Sequence, residues 1–372
     1  MNRQVDSDRM DWIQERVPSL DGLRAISIAL VVFSHVLGNL GLPVFAVGNL
    51  GVRIFFIISG YLITSIILNE QIRTSTINLR KFYFRRTLRI FPAYYFFLAT
   101  IFVLTLLGVY GIPRSTFLIP ALYVSNYLAP LPWELGHTWS LSVEEQFYIL
   151  FPAVLLLLGR SKTRELLIYV LLLTPFIRLF HALYWQINEA PTIPFWYTFG
   201  FHTNMDAIAT GCMFAIAKET LESNKLIERL RQSWGWLCVL TFLILVTVFY
   251  VSEFSLVYAV VGITTLNLSI VLSIDWLIAN YKTAIGRLLN SAPFVLVGAM
   301  SYSIYLWQQP FSIYSENAWW THFPANVGLL ICCSLFSYFV IEKTFLRLRR
   351  IGENRLFKTR PAILPTTECD YA

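Results

Sequence analysis

The fold class this sequence predicts is an all-α, polytopic membrane protein, and three observations predict it. Of 372 residues, 56% are hydrophobic and 14% charged, with a mean hydropathy of +0.59, whereas roughly a quarter of residues are charged in a soluble domain. Apolar runs of about the 20 residues that cross a bilayer recur along the whole chain. Nearly all of the 29 Lys and Arg residues fall in alternate segments between those runs, as the positive-inside rule requires.

About ten runs have this length. The first, near 22–40, follows a polar segment with Arg3, Arg9 and Arg16; the second, near 49–68, leads into a basic connector holding Arg73, Arg80, Lys81, Arg85, Arg86 and Arg89. The third is near 92–110. The fourth and fifth, near 143–159 and 166–185, are separated by Arg160, Lys162 and Arg164. Lys218, Lys225, Arg229 and Arg231 part the sixth (197–217) from the seventh (236–251), and Lys282 and Arg287 part the eighth (257–274) from the ninth (292–312). The tenth, near 325–342, ends at a tail carrying Lys343, Arg347, Arg349, Arg350, Arg355, Lys358 and Arg360. This pattern places both termini in the cytoplasm, with only Arg114 outside and Arg24, Arg53 and Arg178 in or at the edge of spans.

Three segments result: a cytoplasmic N-terminal piece at 1–15, a membrane domain at 16–342, and a basic, disordered tail at 343–372. Cleavage after the first run would discard Arg24 and His35, so that run reads as a retained anchor. The net charge of +7 and pI near 9.1 follow from topology and contact with anionic membrane lipids; they are no argument for nucleic acid. Cys212, Cys238, Cys332 and Cys333 lie within runs and Cys369 in the tail, giving neither a disulfide framework nor a metal spacing. His202 and Asp206, four apart, read as a polar contact between helices.

The chemistry-bearing residues sit inside the apolar runs. In DGLRAISIALVVFSH, Arg24 and His35 share one helix face roughly 16 Å apart along the axis. Ionisable groups there mark a functional site; the plainer reading is an Arg that snorkels to the interface and a His that bonds a neighbouring helix. Arg85 and Arg89 share a face at the cytoplasmic mouth of the third run, with Arg86 beside them, and can fork onto phosphates or anchor to lipid head groups. Ser59 and Gly60 let a backbone or ligand approach closely, so Ser59 has a packing or substrate-contact role. In HTWSLSVEEQFYILFP, Glu144 and Glu145 point about 100° apart, so at most one faces a narrow cavity. There Glu144 can orient a histidine or bind sugar hydroxyls, while Glu145 suits a wet interface.

Taken together, these stretches resemble the acyltransferase-3 family of integral membrane acyltransferases. SLDGLRAISIALVVFSH is similar to the family's Arg, ten residues, His motif at Arg24 and His35, and GVRIFFIISGYLIT to its second-helix motif at Ser59, Gly60 and Tyr61. FRRTLRIFP is similar to its cytoplasmic Arg cluster at Arg85, Arg86 and Arg89, and HTWSLSVEEQFY to its Trp-Ser-Leu-x-x-Glu motif at Trp139, Ser140 and Glu144. MDAIATG and SYSIYLWQQP resemble the later segments through Asp206, Gly211, Ser301, Tyr302, Tyr305 and Trp307. There are two departures. Gln308 stands where many members carry His, and the Arg often found shortly before the Asp-x-x-x-x-Gly segment is not evident. Some members also append an extracytoplasmic SGNH hydrolase-like domain, for which this chain leaves no room.

The resemblance implies an O-acyltransferase of the bacterial cytoplasmic (inner) membrane. It would move an acyl group, acetyl by default, from cytoplasmic acetyl-CoA to a saccharide or glycolipid acceptor such as lipopolysaccharide, exopolysaccharide, peptidoglycan or a macrolide sugar, with no metal. Its implied catalytic residues are His35, Arg24 and Glu144; Arg24, Arg85, Arg86 and Arg89 hold the CoA phosphates; Ser59, Tyr61, Trp139 and Tyr305 contact substrate. The span from Arg24 to His35 is about the reach of an extended phosphopantetheine arm. His35 acts either as general base on the acceptor or as a transiently acylated nucleophile. The competing class is a permease or flippase, but no inverted repeat with Gly/Pro-broken helices is visible.

Overall fold

The structure, a computed structural model, describes residues 17–38, 45–128, 130–187, 199–249, 255–312 and 318–357. Among these residues every regular element is helical. The principal helices are α1 (Leu20–Gly38), α2 (Phe45–Thr74), α3 (Leu79–Leu106), α4 (Thr138–Ile187), α5 (Phe201–Glu222), α6 (Lys225–Arg231) and α7 (Trp234–Phe249). They continue with α8 (Ile263–Ala279), α9 (Ala284–Leu289), α10 (Ala292–Ser312), α11 (Ala325–Phe336) and α12 (Lys343–Leu356). π-helical turns at Tyr258–Gly262 and Ser337–Glu342 lead into α8 and α12.

Among the described residues, five helical stretches are long and apolar enough to cross a membrane: Ala46–Thr74, Leu79–Leu106, Trp133–Tyr184, Tyr258–Ala279 and Ala325–Leu356. A sixth is added if α6 and α7, bent by 82°, are taken as one broken span. The runs expected at 197–217 and 292–312 are helical as α5 and α10 but are diluted by polar residues, among them Asp206 on α5 and Gln308 and Gln309 on α10. Two expected runs, 143–159 and 166–185, belong to one long helix, α4, broken at Gly159. Its φ of 72° is a conformation that glycine adopts without steric cost.

The expected basic connector at 69–91 is mostly helix. α2 continues to Thr74 and α3 begins at Leu79, capped by Asn78, whose side chain accepts from the Lys81 N–H at 3.0 Å. Pro92 therefore lies inside α3, and Arg86 and Arg89 stand roughly two to three turns beyond its start. The expected tail at 343–372 also differs: its first part is α12, a basic amphipathic helix that packs against α3. Glu353 of α12 pairs with Arg85 and, at 3.5 Å, with Lys81. The segment 1–15 and the tail beyond residue 357 lie outside the described residues.

Close helix approach is bought with small residues, the usual currency of association in lipid. A Cβ at Gly60 of α2 would overlap the Ile208 carbonyl of α5, and one at Gly211 of α5 would overlap the Ile57 carbonyl of α2. The two glycines thus set one crossing reciprocally. Gly298 does the same where α10 meets the Asp21 carbonyl of α1. α1 packs between α2 and α10, which carries its face with Arg24 and His35 into the middle of the bundle.

Candidate active site

Arg24 and His35 open onto two adjoining cavities. The first, about 100 Å³, is lined by Arg24 of α1, Arg86 and Arg89 of α3, Glu144 and Glu145 of α4, and Glu342 at the end of the second π-helical turn. It thus gathers three guanidinium groups and three carboxyl groups. Arg86 and Arg89 are three residues apart and face the same way on a helix. Arg85, offset by about 100°, turns instead to Glu353 of α12. The sequence pairing of Arg85 with Arg89 is therefore replaced by Arg86 with Arg89. The Arg86 guanidinium lies 3.4 Å from the centroid of the Tyr148 ring, a cation–π contact that holds it in the cavity wall.

Ser59 and Glu144 meet in this cavity, the Ser59 hydroxyl donating to Glu144 Oε1 at 2.7 Å. Both adjacent carboxyl groups line it, so the expectation that only one could do so fails. Glu145 is 5% exposed rather than at a wet interface, and its Oε1 has no hydrogen-bond partner among the described residues.

The second cavity, about 240 Å³, is lined by His35, His137, Trp133, Trp139 and Gln309 among others. His35 Nδ1 lies 2.6 Å from Gln308 Oε1. With the amide oxygen, which can only accept, facing Nδ1, this contact favours the neutral tautomer protonated on Nδ1, whose Nε2 keeps its lone pair. The orienting partner expected of Glu144 is therefore Gln308, the residue at which the sequence departs from the family pattern. Gln309, its neighbour, accepts from the backbone N–H of His137 at 2.7 Å and lies 2.8 Å from His137 Nδ1. Trp133 meets the His35 ring edge-on, with centroids 5.3 Å apart, and Trp139 packs on Phe199 at 4.5 Å.

Val52 and Tyr305 line both cavities. Tyr305 is fixed there: its hydroxyl lies 2.5 Å from Ser140 Oγ and donates to the His137 carbonyl at 3.2 Å. Of the other residues singled out in the sequence, Tyr61 lines neither cavity. It packs on Phe214 at 5.0 Å and accepts from Lys218 Nζ at 3.3 Å, in the contact between α2 and α5. Glu342, Val52 and His137 gained no role from the sequence. Glu342 is brought in by the π-helical turn and is held by the Ser303 hydroxyl.

A second buried polar cluster ties the helices around the site. Arg178 of α4 donates to Asp206 of α5 at 2.8 Å and Asn267 of α8 donates to it at 2.9 Å, while Arg53 of α2 stands 3.9 Å away. Of the pair expected to make polar contacts between helices, Asp206 accepts from two other helices, while His202 stacks on Tyr127, with centroids 6.0 Å apart, and meets the His181 ring of α4 at 5.5 Å. Arg178, 28 residues before Asp206, supplies the cation not evident nearer in sequence. Among the described residues no three of His, Cys, Asp and Glu come together as metal ligands.

A family profile described as an acyltransferase domain matches residues 17–343. The chain is 30% identical over 374 residues to the O-acetyltransferase OatA of Staphylococcus aureus, an alignment covering 96% of this chain and 60% of that protein. It is 30% identical over 322 residues to the peptidoglycan O-acetyltransferase OatA of Listeria monocytogenes, covering 80% of this chain and 50% of that protein. The chain thus spans half to three-fifths of the length of these relatives. No solved structure matches it.

Proposed function

The chain belongs to the acyltransferase-3 family, and from that premise we propose that it is a membrane O-acyltransferase carrying an acetyl group from cytoplasmic acetyl-CoA to a hydroxyl of a saccharide. In this reading the ten apolar runs cross the bacterial cytoplasmic membrane with both ends inside, and the first cavity opens toward the cytoplasm. The observation that carries the proposal is that Arg24 and His35, on one helix face, line two cavities that share a wall.

Arg24, Arg86 and Arg89 hold the CoA phosphates, and Arg85 at the rim can exchange Glu353 for one. The thioester then reaches His35. The acceptor hydroxyl attacks the thioester carbonyl while His35 Nε2 takes its proton. As the C–S bond breaks, the imidazolium returns that proton to the departing sulfur, leaving an ester and free CoA. Gln308 keeps Nδ1 protonated and the ring aimed throughout. Trp133 and Trp139 offer faces on which a sugar ring stacks, and peptidoglycan, named for the Listeria relative, is the first acceptor to test alongside lipid-linked and extracellular polysaccharide.

Inside-out membrane vesicles given acetyl-labelled acetyl-CoA test the proposal, with wild type compared to a His35→Ala variant inserted to the same level. Label passing into a glycan or lipid fraction, with release of free CoA, only in wild type is the expected result. Equal label in both removes His35 from the chemistry, and no CoA release in either favours transport.

A further inference from the structure

The arginines and His35 line different cavities. The three arginines line the first and His35 the second, and the residues common to both walls are Val52 and Tyr305. Both are nearly inaccessible to solvent, at 7% and 6% exposure. A donor whose phosphates stay with the arginines must therefore pass its acyl end between these two side chains to bring the carbonyl to the imidazole. We infer that Val52 and Tyr305 form a neck that selects the acyl group by its bulk, with Val52 as the residue that sets the limit.

Two features make Val52 the adjustable side. Tyr305 is pinned through its hydroxyl to Ser140 and to the His137 carbonyl, so its ring cannot swing aside without losing both partners. Val52 is β-branched and sits mid-turn on α2, where such a side chain has one strongly preferred rotamer. The neck is thus bounded on one side by a hydrogen-bonded ring and on the other by two methyl groups that favour one orientation. Beyond it the second cavity is larger, at about 240 Å³ against about 100 Å³, so the constriction rather than the space behind it is where bulk is read. A single methylene misfit in an apolar passage changes turnover roughly tenfold or more.

This inference rests on the acyl-CoA reading above, and the experiment separates the two. Vesicles carrying the full chain and their own glycans are given acetyl-, isobutyryl- or pivaloyl-CoA, whose acyl groups widen in that order, and free CoA is measured for wild type, Val52→Ala, Val52→Leu and Val31→Ala. Val31 lines the second cavity away from the shared wall. Val52→Ala should raise the isobutyryl-to-acetyl turnover ratio at least about tenfold. Val52→Leu should lower kcat for acetyl-CoA by a similar factor at unchanged KM, since the phosphate contacts are untouched, and Val31→Ala should leave the ratio within about twofold. An unchanged ratio in an active Val52→Ala protein, or an equal shift in Val31→Ala, overturns the neck while leaving the transferase standing. Wild type that releases no CoA from any of the three donors overturns both.

Discussion

At the scale of single residues, the most consequential contact is that between Gln308 and His35. A neutral imidazole has two tautomers, and an acceptor 2.6 Å from Nδ1 selects the one whose Nε2 can take a proton. Gln308→Ala removes that choice and leaves a buried N–H unpaired, at a cost of about 1–3 kcal/mol. Realised in the transition state, that is roughly a tenfold to hundredfold loss of kcat. The KM for acetyl-CoA should not move, because Gln308 does not line the arginine cavity. Steady-state release of CoA from vesicles, with kcat and KM resolved, checks both halves. A loss appearing in KM instead would place Gln308 in donor binding.

Helices, rather than side chains, decide whether these residues meet at all. The crossing of α2 and α5 brings Ser59 beside Glu144 from one side, and it depends on Gly60 and Gly211 each lying against the other helix's carbonyl. A methyl group there meets backbone, which cannot rotate away, so Gly60→Ala and Gly211→Ala should each destabilise the protein by about 1–3 kcal/mol. Gly328→Ala, with nothing within 4 Å of the added carbon, should be neutral or slightly stabilising. Thermal unfolding of the detergent-solubilised protein, followed by size-exclusion recovery, distinguishes the three. The buried Arg178–Asp206 pair works at the same scale, since it fastens α4 to α5 while Asn267 and Arg53 reach the same carboxylate from α8 and α2. Removing one member of such a pair is much more costly than never having built it.

For the whole molecule, the proposed topology makes a labelling prediction. In a chain stripped of its native cysteines, Thr76→Cys, in the turn between α2 and α3, should react with a membrane-impermeant thiol reagent only in inside-out vesicles, and Ser115→Cys, in the loop after α3, only in right-side-out ones. The opposite pattern would invert the protein and separate the arginines from cytoplasmic donors. How much of this arrangement could be read beforehand depended on distance along the chain. Arg24 and His35 were legible because helical periodicity is local, and eleven residues on one helix fix a shared face. His35 and Gln308 are 273 residues apart, and Glu342 enters through a π-helical turn that shifts its face, so neither could be inferred from spacing. Arg85 was misplaced for a related reason: its direction is set by Glu353 on a helix that the sequence suggested was a disordered tail.

The shared wall of Val52 and Tyr305 also bears on the membrane as an insulator. In the proposed topology two cavities lie end to end across the bilayer, and water filling both would form a file along which protons hop down the electrochemical gradient. Val52 and Tyr305, both nearly buried, narrow that file to a neck, which the acyl chain itself fills whenever a donor is in place. In that topology the two side chains that size the acyl group also limit proton leak between the arginines and the histidine.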